Sequence, residues 1–331
     1  MAKRFLFNAL LPDFFEALHF FGELHAPVMT SDGVTAFRPA LSLAEVRLDY
    51  RRTLIPPKKY LLPPRETTLD ATPTEGYRLR TPADKEIILF GVHPCDLAGI
   101  DYLDRVFLSS SPDPWYARRR ERFTLIGLSC EPDDFCFCGD IGDNHSAGFD
   151  IFLEQAEDGY HLLCGTDKGE AILASFKDLL HERRIPPPHK REKKLPPSCF
   201  ATAREGEPLP ATPMWDDFAQ RCLSCGACSA CCPTCYCFDV LEGGTLDGDR
   251  AERVRSWDNC LFRGHGEVAG GVNFRASRRE RFQYRFRHKF HGFGPQRNTP
   301  ACVGCGRCRE ACPVKIDLLD IVRQEGTHDS C

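Results

Sequence analysis

The chain contains no apolar run approaching the length of a bilayer-spanning helix, so a membrane-embedded protein is not expected. Charge of either sign is not in large excess. The 43 lysines and arginines face 47 aspartates and glutamates, a net of −4, which argues against attraction of the whole chain to nucleic acid. There is no G-x-G-x-x-G after a strand, no P-loop and no Ser–His–Asp signature, so the residues point to no substrate pocket. No export signal is obvious either. "MAKRFLFNALLPDFFEALHFF" begins like one, but Asp13 and Glu16 interrupt it and no small-residue cleavage site follows. It reads as an amphipathic first helix of a soluble, cytoplasmic protein.

What the chain has is cysteine. Nineteen is an odd number, and a disulfide framework fits poorly in a 331-residue chain without an obvious export signal. Seven of them crowd into "RCLSCGACSACCPTCYCFDV", Arg221 to Val240. Reduced thiols two and three residues apart are what metals and clusters require.

The first part of the sequence has mixed α/β character. "PDFFEALHFF" has helical periodicity, and "VTAFRPA" after "SDG" reads as a strand leaving a turn. In "KEIILFGVHPCDLAGIDYLDRVF" the apolar run Ile87–Val92 predicts a strand, and a helix starts around Asp96. "RFTLIGLSC" is a second strand ending at Cys130, "FDIFLEQAEDGYHLLCG" a hairpin turning at Asp158–Gly159, and "GEAILASFKDLLHERR" a helix. Proline-rich, charged and aperiodic sequence then predicts a linker over 185–213. The remainder, 214–331, is cysteine-rich and holds an internal repeat: "RCLSCGACSACCP" and "ACVGCGRCREACP" match at every cysteine of the motif, at one glycine and at the final proline.

Both repeats fit C-x2-C-x2-C-x3-C-P. In that run three thiolates wrap one corner of an iron–sulfur cube and the fourth reaches the other cube. The spacing therefore assigns Cys222, Cys225, Cys228 and Cys312 to one [4Fe–4S] cluster, and Cys302, Cys305, Cys308 and Cys232 to a second. Gly226 and Gly306 suit loops that bend closely against a cluster. Structural zinc, the alternative, wants two separated pairs of ligands rather than four consecutive thiols ending in proline.

Two further groups of thiols remain. Cys95 lies just past the end of one predicted strand. Cys130 lies past the end of the next, with Cys136 and Cys138 following in a C-x5-C-x-C pattern. If the strands are parallel neighbours, these four converge at the carboxyl edge of the sheet, where α/β sites are built. They suit a third [4Fe–4S] cluster, with zinc or inert thiols as alternatives. In "TCYCFD", Cys235 and Cys237 project from one face of an extended segment, and Cys260 in "RSWDNC" could join them. They are ligands of a further cluster or metal, or buried small side chains beside the ferredoxin core. Cys231, inside the spacer, reads as inert, and the isolated Cys164, Cys199 and Cys331 carry no assignment.

Between the repeats lies "FRASRRERFQYRFRHKFHGF", with Arg275, Arg278, Arg279, Arg281, Arg285, Arg287 and Lys289 against Glu280 alone. Such a stretch suits packing over anionic clusters, docking of an acidic redox partner, or nucleic acid. "PPKKYLLPPRE" (Pro56–Glu66) reads as a rigid basic loop, and His93 as a structural residue near the third site.

The ordered combination "PPKKYLLPPRE", "GVHPCDLAGI", C-x5-CFC, "ACCPTCYCFDV", "RSWDNC", "VAGGVNFR" and "CVGCGRCREACPVKID" resembles the dicluster 4Fe–4S proteins. That family includes the dicluster subunit of anaerobic sulfite reductase and the β subunit of sulfhydrogenase-type [NiFe] hydrogenases. The resemblance covers about residues 50 to 320. It implies an iron–sulfur subunit standing between a ferredoxin-reductase-like flavoprotein that binds FAD and NAD(P) and a terminal oxidoreductase: a sulfite reductase, a hydrogenase or a heterodisulfide-reductase-like enzyme. The eight repeat cysteines match the family's two ferredoxin clusters, and Cys95, Cys130, Cys136 and Cys138 match its N-terminal cysteines. One departure is "GDIGDNHSAGFD" after the CFC, where the family carries a methionine–glycine-rich segment.

The expected architecture is α+β: a mixed α/β domain over 1–184, the linker over 185–213, and a mainly helical, ferredoxin-like domain over 214–331 with the basic insert. The expected function is relay of single electrons, in an anaerobic protein complex, with no substrate site in this chain and no nucleic-acid or membrane partner. Two other classes stay open, a cluster-bearing redox sensor that uses the arginine-rich stretch on nucleic acid and a zinc scaffold.

Overall fold

The computed structural model describes residues 4–141, 148–184, 212–292 and 300–325. The predicted linker falls almost wholly outside them, as do Cys199 and Cys331. The chain divides into two units that are not simple halves. Of the described residues, the first takes those up to Leu61, those from Ala83 to 184, and Val303–Cys305. The second takes Leu62–Pro82, those from 212 to Cys302, and those from Gly306 onward. A division into continuous stretches does not capture the 62–82 excursion, because the partner strands that hold it lie nearly two hundred residues downstream in the sequence.

In the first unit eight strands form one mixed sheet: β1 (Arg4–Phe7), β2 (Glu23–Met29), β3 (Thr35–Pro39), β6 (Ile87–Val92), β7 (Phe123–Leu128), β8 (Ile151–Gln155), β9 (Gly159–Cys164) and β10 (His181–Glu182). Numbering runs along the whole chain, and the fourth and fifth strands belong to the second unit. The order is β10-β1-β9-β8-β7-β6-β2-β3. Its centre, β2-β6-β7-β8, is parallel, and the flanking pairs are antiparallel. Parallel strands are covered on both faces, and the alternation here agrees. Ile88, Phe90, Ile126 and Leu128 join Phe14, Phe15 and Leu18 of the Leu11–Leu18 helix in one core cluster. Leu89 and Leu125, in the opposite register, are equally buried on the other face.

Ile87–Val92 and the Asp158–Gly159 hairpin stand where the sequence pattern placed them. Three other elements differ from expectation. The chain opens with strand β1 before its first helix, because Phe5 and Leu6 are fully buried between neighbouring strands. The helix in "GEAILASFKDLLHERR" spans only Asp167–Ala174, and the segment then turns to supply β10. Pro56–Glu66 is not all loop: Lys58–Leu61 is a short helix and Arg65 opens a strand.

The second unit contains a four-stranded antiparallel sheet, β11 (Phe238–Gly244), β12 (Ala251–Trp257), β4 (Arg65–Thr72) and β5 (Gly76–Leu79), in that order. A mainly helical unit was expected, and this sheet departs from it. Helices are nonetheless prominent. Pro213–Arg221 packs on Arg278–His291 through Trp215, whose ring lies edge-on to Phe286 at 5.2 Å and to Phe282 at 6.2 Å. The longer helix begins at a capping box. The Ser277 hydroxyl accepts from the Glu280 N–H at 3.1 Å, and the Glu280 carboxylate accepts from the Ser277 N–H at 2.8 Å. Among the described residues, no helix is long and apolar enough to cross a membrane.

Candidate metal centres

The two repeats fold alike. In the first, Gly226 (φ +81°) precedes a short helix, Ala227–Ala230, that carries Cys228. In the second, Gly306 (φ +76°) precedes Arg307–Glu310, which carries Cys308. A left-handed backbone favours glycine, and there is no room for a larger residue at position 226. A Cβ would stand 2.5 Å from Asn259 Nδ2 and 2.9 Å from the Phe262 ring.

Around the first loop lies a pocket whose lining includes Cys222, Cys225, Cys228 and Cys312. These are the four thiols that the repeat spacing assigns to one cluster. Leu261, Phe282 and Ile316 give it an apolar wall, and Arg285 contributes a cation. Two backbone amides point at sulfur: the Ser224 N–H donates to Cys222 Sγ at 3.4 Å and the Ile316 N–H to Cys312 Sγ at 3.3 Å. Convergent thiols, amide donors, a dry wall and a cation form a donor set that fits an anionic sulfur-rich cluster. Burial pushes the Cys228 thiol up to about 11, with Arg285 pulling the other way.

Of the second set, Cys232 and Cys302 lie in the second unit beside Lys289. The Cys302 N–H donates to the Lys289 carbonyl at 3.0 Å. Cys308 also faces the pocket described above. Cys305 is buried within the first unit.

Cys235, Cys237 and Cys260 come together. The Cys237 and Cys260 thiols interact, an interaction that raises Cys237 and lowers Cys260. Cys232 interacts likewise with Cys235 and is raised by that interaction and by burial. Cys235 lies within electrostatic reach of both Cys237 and Cys260. Cys231 is buried nearby in sequence, and Cys164 sits at the end of β9 with its thiol toward the Thr166 carbonyl at 3.2 Å.

In the first unit, β6 and β7 are parallel neighbours. Cys95, in the first turn of the Pro94–Phe107 helix, and Cys130, two residues beyond β7, therefore leave the sheet at the same carboxyl edge. Cys136 follows in the loop and Cys138 opens the short helix Cys138–Ile141. Burial raises the Cys136 thiol, opposed by Arg52, whose guanidinium lies 3.9 Å from its sulfur and also bonds Asp133. Gly304 packs into this loop: its carbonyl accepts from the Phe137 N–H at 2.8 Å, and a Cβ would stand 2.5 Å from Cys138 Cα. His93 stacks on Tyr50, ring centroids 3.9 Å apart. Among the described residues, no three histidine, cysteine or acidic side chains close around one point tightly enough for a single metal ion. The corners of a cube hold thiolates further apart than one ion does.

The basic–aromatic stretch forms the Arg278–His291 helix, with Phe282, Phe286 and Phe290 buried along one stripe and Arg281, Arg285 and Lys289 buried along the next. Both stripes recur every four residues, a legible helical period. That burial removes three of the seven cations from any surface a nucleic acid could reach.

Compared with known proteins, the chain is 36% identical over 332 residues to sulfhydrogenase 2 subunit beta of Pyrococcus furiosus, spanning 96% of this chain and 98% of that one. The chain belongs to this 4Fe–4S dicluster family. The family model described as a 4Fe-4S dicluster domain matches residues 221–316, which contain both repeats. A more distant relative is the F420-dependent formate dehydrogenase subunit beta of Methanocaldococcus jannaschii, 24% identical over 116 residues, 35% of this chain and 22% of that one. No solved structure matches.

Proposed function

We propose that this family member is the iron–sulfur subunit of an oxidoreductase complex and relays single electrons between a flavin- and NAD(P)-binding partner and a terminal oxidoreductase. The observation that carries this reading is the pocket lined by Cys222, Cys225, Cys228 and Cys312, four thiols drawn from two repeats eighty residues apart. The near full-length likeness to a sulfhydrogenase β subunit supports a place in such a complex.

In this reading Cys222, Cys225, Cys228 and Cys312 hold one [4Fe–4S] cluster, and Cys302, Cys305, Cys308 and Cys232 the other. Cys95, Cys130, Cys136 and Cys138 hold a third, and Cys235, Cys237 and Cys260 supply ligands to a further centre. Bound clusters supply reversible one-electron chemistry at potentials that the protein adjusts by hydrogen bonds, charge and burial. The chain's own part is to fix the thiolates, to aim the Ser224 and Ile316 amides at sulfur, and to exclude water with Leu261, Phe282 and Ile316.

The test is anaerobic purification from the native host, with iron, acid-labile sulfide and zinc measured per chain and co-purifying subunits identified. About 12 iron and 12 sulfide are expected for three cubes, about 16 if the Cys235 group is loaded, and about 8 if only the repeats are. A flavoprotein should accompany the chain. Zinc without sulfide would sink the electron-relay reading, and repeated recovery of the chain alone would remove the flavoprotein partner.

A further inference from the structure

Arg285 and Lys289, both buried in the second unit, lie beside thiols and, among the described residues, pair with no carboxylate. Arg285 is 2% exposed and Lys289 3%. They stand four residues apart on one face of the Arg278–His291 helix. Arg285 donates to the Ser229 hydroxyl at 2.7 Å, to the Cys228 carbonyl at 2.9 Å and to Cys235 Sγ at 3.6 Å. Lys289 donates to the Thr234 hydroxyl at 2.8 Å.

Buried arginines elsewhere either pair with a carboxylate or give their hydrogen bonds to backbone carbonyls away from any thiol. Arg255 is paired with Glu66 and Arg52 with Asp133, while Arg281 is capped by the carbonyls of Leu261, Arg275 and Ala276. A buried charge without a counter-charge is strongly unfavourable. Thiols are close to both: Cys235 Sγ lies 3.6 Å from Arg285, which also lines the pocket of Cys222, Cys225, Cys228 and Cys312, and the Thr234 hydroxyl that Lys289 bonds at 2.8 Å stands 3.3 Å from Cys232 Sγ. Thiols that keep their protons leave both cations uncompensated. Thiolates bonded to an iron–sulfur cube carry the missing negative charge.

We propose that Arg285 and Lys289 are fixed counter-charges, Arg285 for the cluster in the Cys222–Cys312 pocket and Lys289 for the cluster that Cys232 and Cys302 serve, and that they hold both reduction potentials up. Arg285 lines the first site. Lys289 lies beside two ligands of the second and bonds the Cys302 amide through its own carbonyl. Adding one electron to a cluster deepens its negative charge with no bond made or broken, so a fixed cation favours the reduced form. Neither residue is a ligand; each acts through the field it places on its site.

This rests on the cluster reading above, and the experiment separates the two. The full chain, prepared anaerobically with iron and sulfide counted, is titrated against dithionite and followed by EPR. The variants are Arg285→Gln, Lys289→Met and the charge-keeping Arg285→Lys and Lys289→Arg. Removing one charge at short range in a medium of effective dielectric about 20 should shift the reduced-to-oxidised ratio at fixed ambient potential at least about tenfold, which for one electron is about 59 mV downward. Arg285→Gln should move one signal most and Lys289→Met the other, with the charge-keeping variants near wild type. Fully loaded Arg285→Gln and Lys289→Met with unmoved potentials would overturn the proposal. Where a neutral variant fails to take up iron, its charge-keeping counterpart decides: loading supports the counter-charge role and failure to load overturns it. Wild-type chain without iron or sulfide would instead remove the cluster reading itself.

Discussion

Gly226 shows how narrowly the first repeat is constrained at the scale of a single residue. Its backbone is left-handed, and the space a side chain would take is filled by Asn259 and Phe262. Asn259 is itself committed: its side-chain oxygen accepts from the Ser229 hydroxyl at 3.0 Å and from the Leu261 N–H at 2.9 Å. Gly226→Ala combines backbone strain with a clash and should cost about 1–3 kcal/mol. Chemical denaturation of the second unit and a lowered iron content in the first-repeat cluster are the readouts. Unchanged stability with full iron would mean that the loop relaxes freely. Glycine at this point was legible from the repeat. The asparagine and phenylalanine that make it obligatory lie over thirty residues away and were not.

Individual elements carry different weight in the second unit. Strand β12 joins β4 through the Arg255–Glu66 pair, whose side chains are only 5% and 8% exposed and meet at 2.5 Å. The gain from a buried pair over apolar residues is small, but breaking one strands a charge. Glu66→Gln should therefore destabilise the unit by about 3–5 kcal/mol, seen as a lowered denaturation midpoint. A double variant, Glu66→Leu with Arg255→Met, should recover most of the loss; failure to recover would indicate that packing of the two stems matters more than charge. The Arg278–His291 helix is held differently, by the capping box at Ser277 and the aromatic stripe against Trp215. Its period of four is readable in the sequence. Which stripe faces the thiols is a matter of packing.

At the level of the whole molecule, the two units have different sources of stability. The first has a conventional apolar core, from Phe14 and Phe15 to Leu162 and Leu173. The second places Arg285 and Lys289 among thiols, so under the proposed cluster reading its stability should depend on those thiols being metal-bound. Iron removal by a chelator under anaerobic conditions should thus strip hydrogen-exchange protection from amides of the Arg278–His291 helix while β6 and β7 stay protected. Equal loss in both units, or in neither, would contradict this division. Metal-coupled folding of this kind is general for sites that do not exist in the unfolded chain.

The sequence by itself determined the chemistry of this protein. Ligand spacing is local: C-x2-C-x2-C-x3-C-P dictates how thiols wrap a cluster wherever the loop sits, and an uninterrupted run such as Ile87–Val92 specifies its strand without help from afar. The convergence of Cys95 and Cys130 on one edge was also readable, conditional on parallel pairing of their strands. Only the tertiary structure decided that pairing, the return of residues 62–82 to a sheet with β12, and the burial of Arg285 and Lys289 beside thiols. Each of these depends on contacts between residues far apart in the chain, whose geometry no local period encodes. A cation in a sequence looks the same whether it faces water or a ring of thiols, and only packing, through the cost of burying charge, separates the two.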